Sequence, residues 1–140
     1  METSQDGLPK IDLGDAASDL IDSGHDEDQI EMMSEAVILV DEDDRQLGPE
    51  SKLIAHAKGG LLHRAFSVLL FDSNGRLLLQ RRALDKITFP GIWANSCCSH
   101  PLHIESEMEI DGDAGVIRAA IRKLKQELGI DPVSVPFSDF

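Results

Sequence analysis

The sequence predicts an α/β domain, a mixed sheet with a flanking helix, behind a disordered acidic tail. Three observations carry that prediction. Short β-branched apolar runs alternate with Asp, Asn and Gly turns between residues 36 and 100. One later segment has helical period: Ile117, Ile121, Leu124 and Leu128 follow one another at intervals of 4, 3 and 4, with Gly129 placed as a C-terminal cap. Charge is also partitioned along the chain. Of the formal net −13 over 140 residues, residues 1–35 contribute −10, from eleven acids against Lys10 alone.

The chain divides accordingly into a tail, residues 1–35, and a body, residues 36–140. Isolated apolar residues among Asp, Ser, Gly and Glu offer too little surface to offset the entropy of ordering, so the tail is expected to be disordered. Its pattern Ala16, Leu20, Ile21 supports a transient helical turn at most. Ala-Val-Ile-Leu-Val at 36–40, the turn Asp41-Glu42-Asp43-Asp44 and Gln46-Leu47-Gly48-Pro49 predict a hairpin. Residues 61–71, the turn Asp72-Ser73-Asn74-Gly75 and residues 76–80 predict a second. A connection containing Phe89-Pro90-Gly91 leads to an extended segment, 92–100, which carries Trp93 and is halted by Pro101. Residues 102–112 are acidic and turn-prone, the helix spans about 115–128, and residues 130–140 are expected to begin another strand.

Several function classes drop out. The body carries a net −3, a poor balance for attracting phosphate backbones, which needs clustered Lys and Arg, so nucleic-acid binding is not expected. The longest apolar runs are far short of the roughly 20 residues that span a bilayer, so no membrane insertion is expected. No secretory or transit signature opens the chain, which points to a cytoplasmic address. The cysteines, Cys97 and Cys98, are adjacent, a spacing that strains a mutual disulfide.

The polar residues set among these apolar ones are His56, His63, Cys98, His100 and Glu127. In an extended segment Cys98 and His100 share a face and Cys97 takes the other. Lys58-Gly59-Gly60 separates His56 from His63 and lets both imidazoles converge. Three imidazoles and a thiol suit a transition metal, although scattered His and Cys are more often packed or surface residues, and neither CxxC nor HExxH is present.

The blocks HAKGGLLHRAFSVLLFD, QRRALDKITFPGIWANSCCSHP and AAIRKLKQELGI, in that order and spacing, resemble type I isopentenyl-diphosphate isomerases, enzymes with a Nudix-like fold. The resemblance covers residues 36–140. It implies conversion of isopentenyl diphosphate to dimethylallyl diphosphate by protonation of an alkene and loss of a proton elsewhere. Cys98 would be one of the two proton-transfer groups, and Cys97 a small buried hydrophobe. His56, His63 and His100 would hold a divalent metal such as Zn2+ or Mn2+. Lys52, Arg82, Lys86 and Lys123 would bind the small-molecule diphosphate, with Mg2+ reached by Glu127. Read without the resemblance, each cation is a solvated charge and Glu127 an i, i+4 partner of Lys123.

The same resemblance implies two further carboxylate ligands in a later E-x-E stretch, one of them the second proton-transfer group. No such stretch follows the helix of residues 115–128 in this sequence. The expectation is therefore a Nudix-like domain with an incomplete C-terminal portion, an uncovered apolar face on the hairpin of residues 69–79, and little or no turnover by the 140 residues alone. An inactive truncated isoform or an interaction module is the alternative. The resemblance carries a peroxisomal address as the alternative to the cytoplasmic one and implies no particular oligomeric state. A Nudix pyrophosphohydrolase is disfavoured. Aligned on Gln126-Glu127-Leu128-Gly129-Ile130, the chain keeps Arg122 and Glu127 of the hydrolase signature but has Lys123, Gln126 and Ala114 where glutamates belong and Met108 at its glycine.

Overall fold

A computed structural model of the chain describes residues 2–3, 7–57 and 59–140. Lys58, part of the expected hinge, lies outside them, as do residues 1 and 4–6 of the tail. The tail itself departs from the expectation of disorder. β1 (Glu2–Thr3) pairs with β2 (Pro9–Lys10), and α1 (Asp15–Asp22) and α2 (Glu27–Met33) follow. Helix α1 buries nothing, whereas α2 is capped by Asp26 and buries Gln29, Ile30 and Met33. Lys10 bridges to the backbone of Glu35 and its ammonium lies 3.6 Å from the Glu31 carboxylate. Ile30 and Met33 are buried where α2 packs on the helix Lys52–Ala55 of the body. Composition of the segment alone cannot register that gain, because the surface it buries against lies elsewhere in the chain.

β3 (Ala36–Val40) is the centre of the body, with Ala36, Val37 and Ile38 fully buried. Burial on both faces explains why this strand reads as a continuous apolar run. It pairs antiparallel with β4 (Gln46–Ser51) along one edge, as the first hairpin requires. On its other side lie backbone bridges from Leu39 to His63 and from Val37 to Leu102. β4 runs directly into α3 (Lys52–Ala55), whose first turn Ser51 caps through Ile54 N–H at 3.3 Å.

The second hairpin turns where expected. Asp72 accepts from Asn74 N–H and Arg76 N–H, each at 2.9 Å, and Phe71 bridges to Leu77. Its arms diverge beyond that point: β5 (Phe66–Val68) pairs with β8 (Cys97–Ser99), and β6 (Gln80–Arg81) with β7 (Trp93–Ala94). The α/β class holds, and the described strands form short antiparallel pairs in place of one mixed sheet. Leu69, Phe71, Leu79 and Trp93 are exposed, so the hairpin does present an apolar face.

A short helix, α4 (Glu105–Met108), stands where the sequence suggested only turns. α5 (Ala114–Leu128) matches the expected helix and ends on Gly129 at φ 67°. Its buried face, however, is Ala114, Gly115, Ala119, Ala120, Lys123 and Leu124, with Ile117 and Ile121 only half-buried at its side. Small residues let α5 lie close on its neighbours; a Cβ at Gly115 would stand 2.3 Å from the Glu107 carbonyl oxygen. Residues 130–140 form 3-10 turns at Pro132–Ser134 and Phe137–Asp139, not a strand.

Candidate active site

Three imidazoles meet where α3, the strand-edge residue His63 and the end of β8 converge. Ring centroids of His56, His63 and His100 lie 4.6, 4.9 and 5.0 Å apart, and one donor atom from each falls within 4.8 Å of the others. His56 is the C-cap of α3, with Nδ1 2.8 Å from the Lys52 carbonyl oxygen; His63 Nδ1 lies 2.6 Å from that of Leu61. Those contacts fix Nδ1–H as the donor and leave the other ring nitrogen with its lone pair. His100 Nδ1 is buried without a hydrogen-bond partner among the described residues. Burial lowers the His56 pKa, and burial with the Lys52 cation lowers that of His100 to about 3. Neutral lone pairs and an orphaned buried nitrogen are what a divalent transition-metal ion requires. Among the described residues no cysteine or carboxylate joins the three within that radius.

Two residues before His100, the pleat of β8 separates the cysteines as the alternation predicts. Cys97 is fully buried, its thiol pushed up to about 12 by burial and then by the Glu127 carboxylate. Cys98 is exposed and sits opposite Ser67 on β5, Sγ to Oγ 3.3 Å.

Cys98 and Ser99 are walls common to two clefts. One, about 640 Å3, also holds Lys52, Arg82, Lys86, Lys123 and Glu127. The other, about 430 Å3, shares Met33, Lys52, Arg82 and Thr88 with the first as well and adds Ala65, Phe66, Phe89, His56 and His100. A cationic trough thus opens onto a partly apolar pocket with the thiol, Lys52 and Arg82 at the junction.

Every cation singled out in the sequence lines the trough, and Lys52, Arg82 and Lys123 are each engaged by neighbouring groups of the protein. Lys52 is held 3.6 Å from the buried Glu35 carboxylate; burial lowers its pKa and Glu35 opposes that shift. Lys123, 2% exposed, reaches Gln126 at 2.9 Å and Glu127 at 3.2 Å. Arg82 donates to the Thr88 carbonyl oxygen (2.7 and 3.0 Å), to that of Phe89 (3.1 Å) and to Thr88 Oγ1 (3.1 Å), so its guanidinium braces the 83–90 loop. Lys86 is half-buried within that loop.

Sequence reasoning missed Glu35, Ser67 and Glu107. Each is an unremarkable polar residue in a local window, and each acquires its role from a partner 15 to 31 positions away.

The fold and site define a Nudix protein: the NUDIX domain family matches residues 61–139, and the chain belongs to that family. The chain is also 54% identical over 140 residues to isopentenyl-diphosphate delta-isomerase IDI1 of Gibberella zeae, covering 95% of this chain and 54% of that protein. It is 54% identical to the Aspergillus fumigatus isopentenyl-diphosphate delta-isomerase idi1 (84% of this chain, 45% of the relative) and to isopentenyl-diphosphate Delta-isomerase 1 of Bos taurus (79% and 51%). The chain spans about half the length of the curated relatives it matches. Among the described residues no helix is long and apolar enough to cross a membrane.

Proposed function

We propose that this chain carries the thiol, histidine and diphosphate-binding face of an isomerase that converts isopentenyl diphosphate to dimethylallyl diphosphate. The observation that carries the reading is the position of Cys98, on the wall shared by a cationic trough and a partly apolar pocket. A diphosphate fits the first and a five-carbon alkenyl chain the second, which sets the reacting carbons beside the sulfur.

In that pose Lys52, Arg82, Lys86 and Lys123 hold the diphosphate oxygens, and Glu127 faces the same trough for a Mg2+ ion bound with the diphosphate. His56, His63 and His100 would hold the second divalent ion, Zn2+ or Mn2+; bound there, it supplies positive charge that orients acidic groups near the alkene. Cys98 holds or takes up one of the two protons exchanged. Ser67 fixes the thiol by its contact across β5 and β8. Protonating the terminal alkene carbon and losing a proton from the carbon next to the diphosphate-bearing one shifts the double bond with no change in composition. Met33, Phe66 and Phe89 form the apolar wall against which the alkenyl chain would lie.

The hydrolase reading is opposed by Lys123, a buried cation one turn from Glu127 where the signature places a carboxylate. Incubation with nucleoside diphosphate derivatives should release no phosphate. Conversion of isopentenyl diphosphate to its isomer by these residues joined to the remaining half of the Gibberella zeae relative, lost in Cys98→Ala, is the test of the isomerase reading; phosphate release without isomerisation would reverse it.

A further inference from the structure

The 83–90 loop has no regular secondary structure, yet it carries Lys86 into the trough. Arg82 braces its far end through Thr88 and Phe89. Its middle is gripped from the N-terminal segment. Gln29 of α2, 6% exposed, donates from Nε2 to the Asp85 carbonyl oxygen at 3.1 Å and accepts at Oε1 from Ile87 N–H at 3.0 Å. One carboxamide therefore pairs with the backbone on both sides of Lys86, as a neighbouring strand would. Its second amide proton goes to Asp26 Oδ2 at 2.9 Å, and the other Asp26 oxygen caps α2 through Gln29 N–H at 2.8 Å. The carboxamide's donors are both used, so its orientation is fixed.

We propose that Gln29 is a positioning residue for the diphosphate site: it sets the backbone of Lys86, and through it helix α2 becomes part of the machinery that binds the diphosphate. The inference rests on the reading of Lys86 as a diphosphate ligand. A buried amide with this bonding is needed because the loop makes no ladder of its own, and Lys86 would otherwise lose conformational entropy on meeting its anion. Sequence spacing hides the link, since Gln29 lies 56 and 58 positions from its loop partners.

A double-mutant cycle on the chain tests it, with inorganic pyrophosphate and Mg2+ as the probe and calorimetric affinity as the readout. Gln29→Met should weaken pyrophosphate binding by about tenfold, the size of one or two neutral hydrogen bonds. Zn2+ affinity at the three histidines should stay unchanged. In a Lys86→Ala background the same substitution should cost almost nothing more, whereas in a Lys52→Ala background the full loss should persist. Gln29→Asn, which keeps the carboxamide but is one methylene too short to hold both Asp85 and Ile87, should fall between and serves if Gln29→Met melts at the assay temperature. Equal losses from Gln29 substitution with and without Lys86 would show a general structural effect and overturn the proposal, as would undiminished binding in both Gln29 variants. If Lys86→Ala alone leaves pyrophosphate binding intact, the reading of Lys86 fails instead, and the proposal falls with it.

Discussion

The Glu107 carboxylate, buried between α4 and α5, accepts from Arg122 Nε at 2.6 Å and Nη2 at 2.9 Å, and from Leu102 N–H at 2.8 Å. Arg122 also donates to the His100 carbonyl oxygen at 3.3 Å. One ion pair thus ties α5 to the turn that follows the cysteines and presents His100. Removing one member of a buried pair strands the other, at a cost of about 3–5 kcal/mol. Glu107→Ala should lower stability by that amount in urea titrations, and Glu107→Gln, which still accepts from Leu102, by less.

Acid should act through the histidines. The His100 pKa in the fold, about 3, lies below the roughly 6.5 of an unfolded imidazole. The unfolded chain therefore binds the extra proton first, and stability, complete above about pH 6.5, declines as pH falls toward 3. Urea unfolding at a series of pH values should show a shallower decline in His100→Gln. Zn2+ should oppose the acid loss in the unsubstituted chain, because it binds only the neutral rings.

The cysteines should differ in reactivity. At pH 8, iodoacetamide should modify Cys98 and spare Cys97, as read by peptide mass spectrometry. With its thiol at about 12 in the fold against an ordinary value near 9, Cys97 keeps its proton in the native state while the unfolded chain loses it. Stability should then fall above about pH 9, by at most about 1.4 kcal/mol per pH unit from this group. Cys97→Ala should flatten that alkaline slope.

Lys86 and Arg82 should not respond alike. Lys86→Ala removes one charge-assisted contact and should weaken pyrophosphate binding by about 1.5–3 kcal/mol. Arg82→Ala should cost more, because the same guanidinium bonds Thr88 and Phe89 and its loss frees the loop that carries Lys86. Equal losses would mean that the brace contributes nothing to binding.

What the sequence made legible follows the range of the interactions. Alternation over four residues was enough to separate Cys97 from Cys98 and to align Cys98 with His100, and the turn at Asp72 was specified by its own side chain. The docking of α2 was hidden, since Gln29, Ile30 and Met33 gain their burial against residues far along the chain. The stripe of α5 was displaced for a related reason: Ala119, Ala120 and Gly115 read as weak hydrophobes in a local window, yet their small size brings the helix close and selects that face. Arg82 was recognised as a cation but not as a brace, because a carbonyl oxygen leaves no mark in the sequence.

The most direct test is isomerisation in deuterium oxide by these 140 residues joined to the remaining half of the Gibberella zeae relative, with Mg2+ and Zn2+ present. The account predicts deuterium in the dimethylallyl diphosphate formed, abolition of both turnover and incorporation in Cys98→Ala, and pyrophosphate binding that survives that substitution. Turnover by Cys98→Ala within tenfold of the unsubstituted protein would contradict it.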